Sequence, residues 1–470
     1  MRNTMGKISD INIAYIGGGS RGWAWTLMSD LANEPEMSGN VKLYDIDFQA
    51  AKNNEVIGNK YTQAEKAVGK WNYRAVESLE EALKDADFVI ISILPGTFKE
   101  MESDVHEPEK YGIYQSVGDT TGPGGMIRAL RTIPMIAEIG TAIRSISPKA
   151  WVINYTNPMS LCIRTLYHVF PQIKAFGCCH EVFGTQKIIA EMCREVLGEQ
   201  DVDNRIDRKD IHVNVLGINH FTWFDEVSYQ GTDLIPVWKD YVNQHFEEGF
   251  QEENKHWANS SFECAHRVKF DLFHRYGYIA AAGDRHLAEF MPGDEYLKDP
   301  ETVKAWRFGL TSVAWRMQDL ENRLDKSRRL VKEEEAISLE VSGEEGTLLI
   351  KALLGKGRVI SNANIPNYGQ IANLPLGTIV ETNAVFSKDS IKAVMAGKLP
   401  DHILELIQPH IRNQEYILQA AFEYRKDLVI VAFQNDPLVK AAALSWEQLE
   451  TLVDTMLHNT KKYLPKGWRL

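Results

Sequence analysis

Apolar and polar positions in the first part of the chain predict short strands separated by amphipathic helices. Residues 10–16 and 41–44 have the pattern of strands, and residues 23–32 have that of an amphipathic helix between them. Residues 88–94 form a continuous apolar run that breaks at Pro95, as expected for a strand buried on both faces of a parallel sheet. This order predicts an α/β protein with a Rossmann-type, doubly wound parallel sheet.

Two further apolar runs lie within residues 151–182, and each ends abruptly in polar side chains. These side chains are Asn154, Thr156 and Asn157 after the first run, and Cys179, His180 and Glu181 after the second. In an open parallel sheet, ligands bind beyond the carboxyl ends of the strands. The sequence therefore predicts that amides, a thiol, an imidazole and a carboxylate converge on one crevice.

A glycine-rich segment at residues 117–125 reads V-G-D-T-T-G-P-G-G. So many glycines predict a loop without regular structure. Asp119 lies in this loop, and Arg128 and Arg131 follow on the next helix. These charges favour a mobile wall of a binding site over an exposed connection.

The second half of the chain mixes strand and helix patterns. Residues 211–225 alternate as a strand that carries Asn219 and His220 at a bend, and residues 304–332 predict a long charged helix. Residues 361–383 predict turn-rich β structure. We expect an α+β domain in this half.

Length and composition limit the architecture and the partners. The 470 residues exceed one ordinary core, so we place a boundary in the charged connector at residues 199–210. The predicted units are a dinucleotide-binding Rossmann domain at 1–200 and a C-terminal domain at 201–470 for substrate, metal and oligomerisation. A net charge of -12 argues against nucleic acid or anionic membrane as a partner. No apolar run approaches the ~20 residues that span a bilayer, and we see no N-terminal signal region. Five cysteines, an odd number, favour a reducing cytoplasm over a disulfide framework.

The turn after the first strand, residues 17–22, has the pattern G-x-G-x-x-G before a helix. Such a turn lets the backbone approach a pyrophosphate at the helix N-terminus. Asp45 ends the second strand near the distance expected for a carboxylate on a ribose diol, which favours NAD over NADP. An ordinary glycine turn with an exposed Asp is the alternative. The residues expected to bind the dinucleotide are Gly17, Gly19, Ser20, Gly22, Asp45, Pro95 and Asn154.

Taken together, the motifs resemble those of glycoside hydrolase family four, the NAD- and metal-dependent glycosidases. They are G-G-G-S at 17–20, T-N-P-M at 156–159, C-H-E-V at 179–182, G-I-N-H at 217–220 and N-x-G-x-I-x-N-L-P at 367–375. They span most of the chain in the family's order, and the C-H-E-V form resembles the α-galacturonidase subgroup. The resemblance implies a C-terminal domain similar to that of lactate and malate dehydrogenases, and a dimer or tetramer.

The resemblance also implies a mechanism of transient oxidation. NAD takes a hydride from C3 of the sugar, a base removes the proton at C2, and a metal ion stabilises the enediolate. The substituent at C1 is eliminated, water adds, and the steps reverse to return the hydride. The net reaction is hydrolysis.

By the same resemblance, Cys179 and His220 are the expected ligands of a divalent ion, typically Mn²⁺. Asp284 is the first choice for the base and Tyr278 the second, while His180 stands where relatives carry the acid for the leaving group. From the residues alone, Cys179 could equally be a small buried apolar side chain and His220 a structural one. Asp284 could be a turn residue.

A uronide substrate carries a carboxylate, which calls for a bidentate Arg. The candidates for this arginine are Arg128, Arg131 and Arg285. The residues expected to bind substrate are Asn157, Glu181, Asp119, Arg131 and Arg285. We expect Asn157 and Glu181 to bind sugar hydroxyls, although Asn157 could be merely a turn residue before Pro158.

Other functions stay open at this point. The alternatives are a family-four enzyme of other specificity, such as an α-galactosidase or α-glucuronidase, a 2-hydroxyacid dehydrogenase, and a dinucleotide-binding sensor. A dehydrogenase would leave C-H-E-V unexplained, and intact Cys179 and His220 argue against a sensor.

Overall fold

The computed structural model describes residues 2–4, 7–197, 206–251 and 263–469. The first seven strands are β1 (Arg2–Thr4), β2 (Lys7–Ile16), β3 (Met37–Tyr44), β4 (Lys70–Val76), β5 (Phe88–Ile91), β6 (Trp151–Asn154) and β7 (Lys174–Gly177). The strands after them are β8 (His212–Ile218), β9 (Phe221–Tyr229), β10 (Thr232–Asp233), β11 (Ile279–Ala280), β12 (Val359–Pro366), β13 (Ile379–Ser387) and β14 (Ser390–Ala393).

Helices alternate with these strands in the first half and dominate the last hundred residues. The helices of the first half are α1 (Trp23–Ala32), α2 (Phe48–Gln63), α3 (Leu79–Leu83), α4 (Phe98–His106), α5 (Gly122–Ile146), α6 (Met159–Val169) and α7 (Glu181–Leu197). Those of the middle are α8 (Ile235–His245), α9 (Arg267–Tyr276), α10 (Asp284–Phe290), α11 (Gly293–Tyr296), α12 (Pro300–Ala305), α13 (Val313–Val331) and α14 (Gly346–Leu353). The last are α15 (Asp401–Glu423), α16 (Lys426–Asn435), α17 (Pro437–Lys440) and α18 (Trp446–Thr460).

The main sheet has the strand order β14-β13-β12-β7-β6-β5-β2-β3-β4, with β1 paired to β2. The six strands from β7 to β4 are parallel, and the order reverses between β2 and β5. This is the doubly wound arrangement of a Rossmann fold, which confirms the predicted fold class.

Both faces of the parallel strands are buried, which explains their continuous apolar runs. On β2, Ile13 and Tyr15 pack on one face with Trp25 of α1. Ala14 and Ile16, which alternate with these residues along the strand, pack on the other face with apolar residues of α5 and α6. Side chains alternate between the two faces of a strand, so helices must cover both.

The second half of the chain contributes to both sheets. Strands β12–β14 extend the main sheet beyond β7, each antiparallel to the strand beside it, and the predicted turn-rich segment supplies β12 and β13. The boundary that we predicted in the connector falls largely on residues 198–205, which lie outside the described residues. The division into 1–200 and 201–470 stays a prediction.

A small second sheet is built on the hairpin β8–β9. Residues 211–225, predicted as one strand, form two strands because the chain reverses at Asn219 and His220. His220 has a left-handed backbone with φ of 64°. The expected bend is present, and it directs these two residues toward the main sheet.

Two predicted elements are wrong in part. Gly122, Gly124 and Gly125 belong to the first turn of α5, with Pro123 at a position that favours the start of a helix. The glycines permit close packing: a Cβ on Gly125 would lie 2.5 Å from the carbonyl carbon of Thr120. The helix predicted at 304–332 is also shorter, because the chain leaves α12 and Ser312 caps a separate helix, α13. Among the described residues, no helix has the length and apolar character that crossing a bilayer requires.

Candidate active site

The candidate site lies where four parallel strands of the main sheet end. The glycine turn follows β2, Asp45 follows β3, Pro95 follows β5, and Asn154 ends β6. The chain order therefore brings the predicted dinucleotide residues to one edge of the sheet. A cavity of about 1060 Å³ opens beside this edge, and Gly22 forms part of its wall.

The glycine turn is held against its neighbours. A Cβ on Gly17 would lie 2.0 Å from the Ser92 carbonyl oxygen, and the φ of Gly17 is 91°. The Gly19 amide donates to Asp45 Oδ2 over 2.9 Å, so this carboxylate fixes the turn. Burial raises the pKa of Asp45 despite this bond. Asn154 is fully buried and donates to the Thr156 carbonyl oxygen.

Asp119, His220 and His286 form one of two groups of potential metal ligands among the described residues, and the other is Cys264, His266 and Asp284. One potential ligand atom of each residue lies within 4.8 Å of the others. Asp119 comes from the segment before α5, His220 from the β8–β9 turn, and His286 from α10. The two imidazole rings lie with centroids 3.8 Å apart. Two imidazoles and a carboxylate can bind a divalent transition metal and leave positions open.

The electrostatics of this group favour an ionised Asp119 and neutral imidazoles. Burial opposes ionisation of Asp119, but Arg128 and the two histidines hold the pKa of its carboxyl well below the usual range. Burial, together with His286, lowers the pKa of His220 to about 3. Burial likewise lowers the pKa of His286. Neutral imidazoles are the form that ligates a metal or accepts a proton.

Asp119 also positions the predicted substrate residue Asn157. The amide nitrogen of Asn157 donates to Asp119 Oδ2 over 3.2 Å, and Arg128 donates to the Asn157 backbone carbonyl oxygen over 3.2 Å. The side-chain oxygen of Asn157 is buried and has no hydrogen-bond partner among the described residues. An acceptor in this state suits a sugar hydroxyl.

Glu181 begins α7 and lies between two histidines. The Gly283 amide donates to Glu181 Oε2 over 2.7 Å. Glu181 Oε1 lies 3.6 Å from His180 Nε2 and 3.6 Å from His286 Nε2. Burial opposes ionisation, yet His286 and His180 hold the pKa of Glu181 well below its ordinary value. This carboxylate therefore links the C-H-E-V segment to α10.

Cys179 lies near Glu181, but carboxylates rather than imidazoles are the charged groups that act on its thiol. Its side chain is buried, and burial together with Glu381 raises the pKa of the thiol well above its ordinary value. Asn219, the neighbour of His220, donates to Glu381 Oε2 over 3.1 Å. Neither of the donor groups found among the described residues includes Cys179. A bound cation would supply the positive charge that a thiolate needs.

The two predicted bases differ in their surroundings. Asp284 is fully buried, and its carboxylate accepts the backbone amides of Val268 and Lys269 at the start of α9. Tyr278 is half-buried and packs near the ring of His402, with centroids 5.7 Å apart. Asp284 thus caps a helix in this structure. The roles of both residues stay predictions.

The predicted arginines are held by protein groups. Arg131 forms a bidentate pair with Asp104 inside the helix layer, with both side chains 1% exposed. Arg285 donates to the Ser116 carbonyl oxygen and to Thr311 Oγ1, each over 2.7 Å. Among the charged neighbours of Asp119, Arg128 does most to lower the pKa of its carboxyl. Neither His286 nor Arg316, which also acts electrostatically on Asp119, was singled out from the sequence.

His286 stands two residues after Asp284 in D-R-H, a segment of the sequence that is rich in titratable groups. The sequence offered the residue type but not the direction of its ring. Only the pairing of α10 with the β8–β9 turn brings His286 to His220.

An open parallel sheet with titratable side chains and a cavity beyond its strand ends gives this protein the architecture of α/β proteins that bind small molecules at that edge. The family described as "Family 4 glycosyl hydrolase" matches residues 12–195, and its C-terminal domain matches residues 215–439. The chain belongs to family 4 of the glycosyl hydrolases, and the resemblance in its motifs is confirmed.

Individual relatives agree with this assignment. An alpha-galacturonidase of Lachnoclostridium phytofermentans is 64% identical over 471 residues, which cover 100% of each protein. The crystal structure of a putative glucosidase from Bacillus subtilis has 51% identity and a TM-score of 0.89, covering 96% of this chain and 100% of that one.

A more distant structure shares the fold. It is the 6-phospho-beta glucosidase of Thermotoga maritima, solved with manganese, NAD⁺ and glucose-6-phosphate. It has 22% identity and a TM-score of 0.76, covering 97% of this chain and 99% of that one. At this identity the likeness shows the fold alone.

Proposed function

We propose that this glycosyl hydrolase is an α-galacturonidase that requires NAD⁺ and a divalent metal ion such as Mn²⁺. The observation that carries the proposal is the full-length identity of 64% to a protein of that name. The C-H-E-V segment at residues 179–182 and the titratable group around it support the same conclusion.

The residues at the sheet edge suit NAD⁺. A Cβ at Gly17 or Gly19 would collide with neighbouring atoms, so the turn is kept narrow and free of side chains. Backbone can then approach a pyrophosphate at the start of α1. The T. maritima enzyme, which has the same fold, was solved with NAD⁺.

The donor set suits a divalent ion. Cys179 and His220 are the proposed ligands, and Asp119 supplies a carboxylate beside His220. His220 is neutral because its pKa is about 3, and Asp119 is ionised. Nitrogen, oxygen and sulfur donors together suit a first-row transition metal, and the T. maritima enzyme was solved with manganese.

When bound, NAD⁺ would accept and return a hydride, and the metal ion would stabilise developing negative charge on the sugar. The chain's own residues orient the substrate and move protons. The side-chain oxygen of Asn157, which has no partner among the described residues, accepts a hydrogen bond from a sugar hydroxyl. Asp119 holds the Asn157 amide in place by accepting from its nitrogen. His180 is the proposed acid for the leaving group, and Glu181 stabilises its protonated form.

His286 is the residue whose geometry best suits removal of the C2 proton. Its Nδ1 atom is buried and has no hydrogen-bond partner among the described residues, and its Nε2 atom faces Glu181. A neutral ring beside a carboxylate can accept a proton at the free nitrogen and remain stabilised. Asp284 is less suited because its carboxylate already accepts two backbone amides.

The experiment compares four aryl glycosides: α-galacturonide, α-glucuronide, α-galactoside and α-glucoside. Each is incubated with protein, NAD⁺, Mn²⁺ and a thiol, and release of the aryl group is followed. We expect release from the α-galacturonide, dependent on both NAD⁺ and Mn²⁺, without accumulation of NADH. Preference for a neutral hexoside or the glucuronide would overturn the specificity. Net NADH formation would instead indicate the dehydrogenase.

A further inference from the structure

Thr120 occupies a position between the carboxylate and one imidazole of the candidate site. Its Oγ1 atom donates to Asp119 Oδ1 over 2.7 Å and lies 2.9 Å from His220 Nδ1. The other oxygen of Asp119 accepts from Asn157. The hydroxyl of Thr120 therefore joins the two side chains on either side of it.

A count of protons fixes the direction of these bonds. A hydroxyl has one proton to donate and lone pairs that accept. The proton of Thr120 points to Asp119, because a carboxylate only accepts. The contact with His220 must then run the other way, with Nδ1–H as donor and Thr120 Oγ1 as acceptor. A neutral imidazole with its proton on Nδ1 carries its lone pair on Nε2.

We propose that Thr120 is a positioning residue that holds His220 in the tautomer whose Nε2 lone pair binds the metal ion. The inference rests on the metal site proposed above. Fixing a ligating histidine through its second nitrogen orients the ring and raises its affinity for the metal. Asp119 sets the direction of the Thr120 hydroxyl. Thr120 in turn orients the ring of His220, so the position of the Asp119 carboxylate determines the orientation of this metal ligand.

The glycines of α5 explain how Thr120 reaches this place. A Cβ on Gly125 would lie 2.5 Å from the carbonyl carbon of Thr120, so only glycine lets the first helical turn pack against that backbone. The segment T-T-G-P-G-G thus places the Thr120 hydroxyl in the site. Gly125, which has no side chain, lies where the first turn of α5 packs against the Thr120 backbone.

The test compares Thr120→Val, which keeps the shape of the side chain without the hydroxyl, with Thr120→Ser, which keeps the hydroxyl. Binding of Mn²⁺ to the NAD⁺-loaded protein is measured by electron paramagnetic resonance of the free ion. We expect Thr120→Val to weaken Mn²⁺ binding about 10–100-fold and Thr120→Ser to bind within about threefold of the unaltered protein.

Thr121→Val is the matched control, because the neighbouring hydroxyl bonds His410 instead. It should lose some thermal stability and keep its Mn²⁺ affinity. If Thr120→Val binds Mn²⁺ as well as the unaltered protein does, or if Thr120→Ser loses as much affinity, the positioning role is overturned. An unaltered protein that binds no Mn²⁺ would instead refute the metal site of the proposed function.

Discussion

His286 places a ring nitrogen that has no hydrogen-bond partner in the described part of the chain beside His220, the predicted metal ligand, and near the carboxylate of Glu181. If it removes the C2 proton, His286→Asn should lower kcat by about 10²–10⁴-fold, the usual contribution of a positioned base. Mn²⁺ and NAD⁺ affinities should stay within about threefold. Exchange of the C2 hydrogen with solvent deuterium, followed by NMR, should fall in parallel.

Tyr278→Phe and Asp284→Asn are the comparisons for this prediction. Tyr278→Phe should retain exchange at C2. Asp284→Asn should chiefly lower the melting temperature, by an amount equivalent to about 1 kcal/mol, because the Asn side chain has one oxygen and can accept only one of the two backbone amides at the start of α9. Loss of C2 exchange in Tyr278→Phe with full exchange in His286→Asn would return the role to the predicted tyrosine.

Cys179 offers a spectroscopic test of the metal ligands. A metal must displace its proton, since burial and Glu381 raise the pKa of the thiol well above the usual range. With Co²⁺ in place of Mn²⁺, coordination by sulfur should give a thiolate charge-transfer band in the near ultraviolet. Cys179→Ser should abolish the band, and Cys162→Ser, at another buried thiol, should retain it. Full Co²⁺ affinity without any band would assign the ion to Asp119, His220 and His286.

At the scale of elements, a buried carboxyl joins α10 to the segment before α5. Glu289 Oε1 accepts the amides of Val117 and Gly118 over 2.7 and 2.8 Å, and burial raises its pKa to about 8. Between the ordinary pKa of Glu and about 8, the folded protein keeps a proton that the unfolded chain has lost. Stability from this group therefore falls as pH rises through that window.

Glu289→Gln removes this titration while preserving the acceptor for the two amides. Its melting temperature relative to the unaltered protein should be higher at pH 8 than at pH 5, and the difference should grow across the window. Calorimetry at four or five pH values measures it. A difference that stays constant with pH would show that Glu289 ionises normally in the folded protein.

The same elements show what the sequence could predict. The parallel strands and the bend at Asn219 and His220 were predictable, because continuous apolar runs and a glycine-preceded turn are local patterns. The start of α5 was not predictable, because a run of glycines favours a loop when only its local sequence is considered. In the folded protein the same glycines allow the helix to pack closely against the segment before it. Thr120 and Gly125 meet only once α5 folds back on the segment before it. The direction of His286 also depends on contacts between distant segments.

At the scale of the whole molecule, the two halves of the chain pack together in a common apolar cluster. Ala363, Ile365 and Phe386 from the second half pack in the cluster that holds Ile153 and Phe176 of the first. The rings of Phe176 and Phe386 lie 5.1 Å apart at 66°. A change of pattern at the connector was predictable from the sequence, but the return of β12–β14 to the main sheet was not.

The shared sheet makes a direct prediction for the fragment of residues 1–200. Without β12 and β13, the edge of β7 and one face of the apolar cluster are open to water, and an exposed apolar strand edge favours aggregation. The fragment should show no cooperative thermal transition and should be cleaved rapidly by protease at residues that the full chain protects. In the full chain, Phe386→Ala should cost about 3–5 kcal/mol, since the cavity it leaves lies in the same cluster. A fragment that melts cooperatively and binds NAD⁺ as tightly as the full chain would show instead that the first half folds alone, and that β12–β14 are only an addition to its edge.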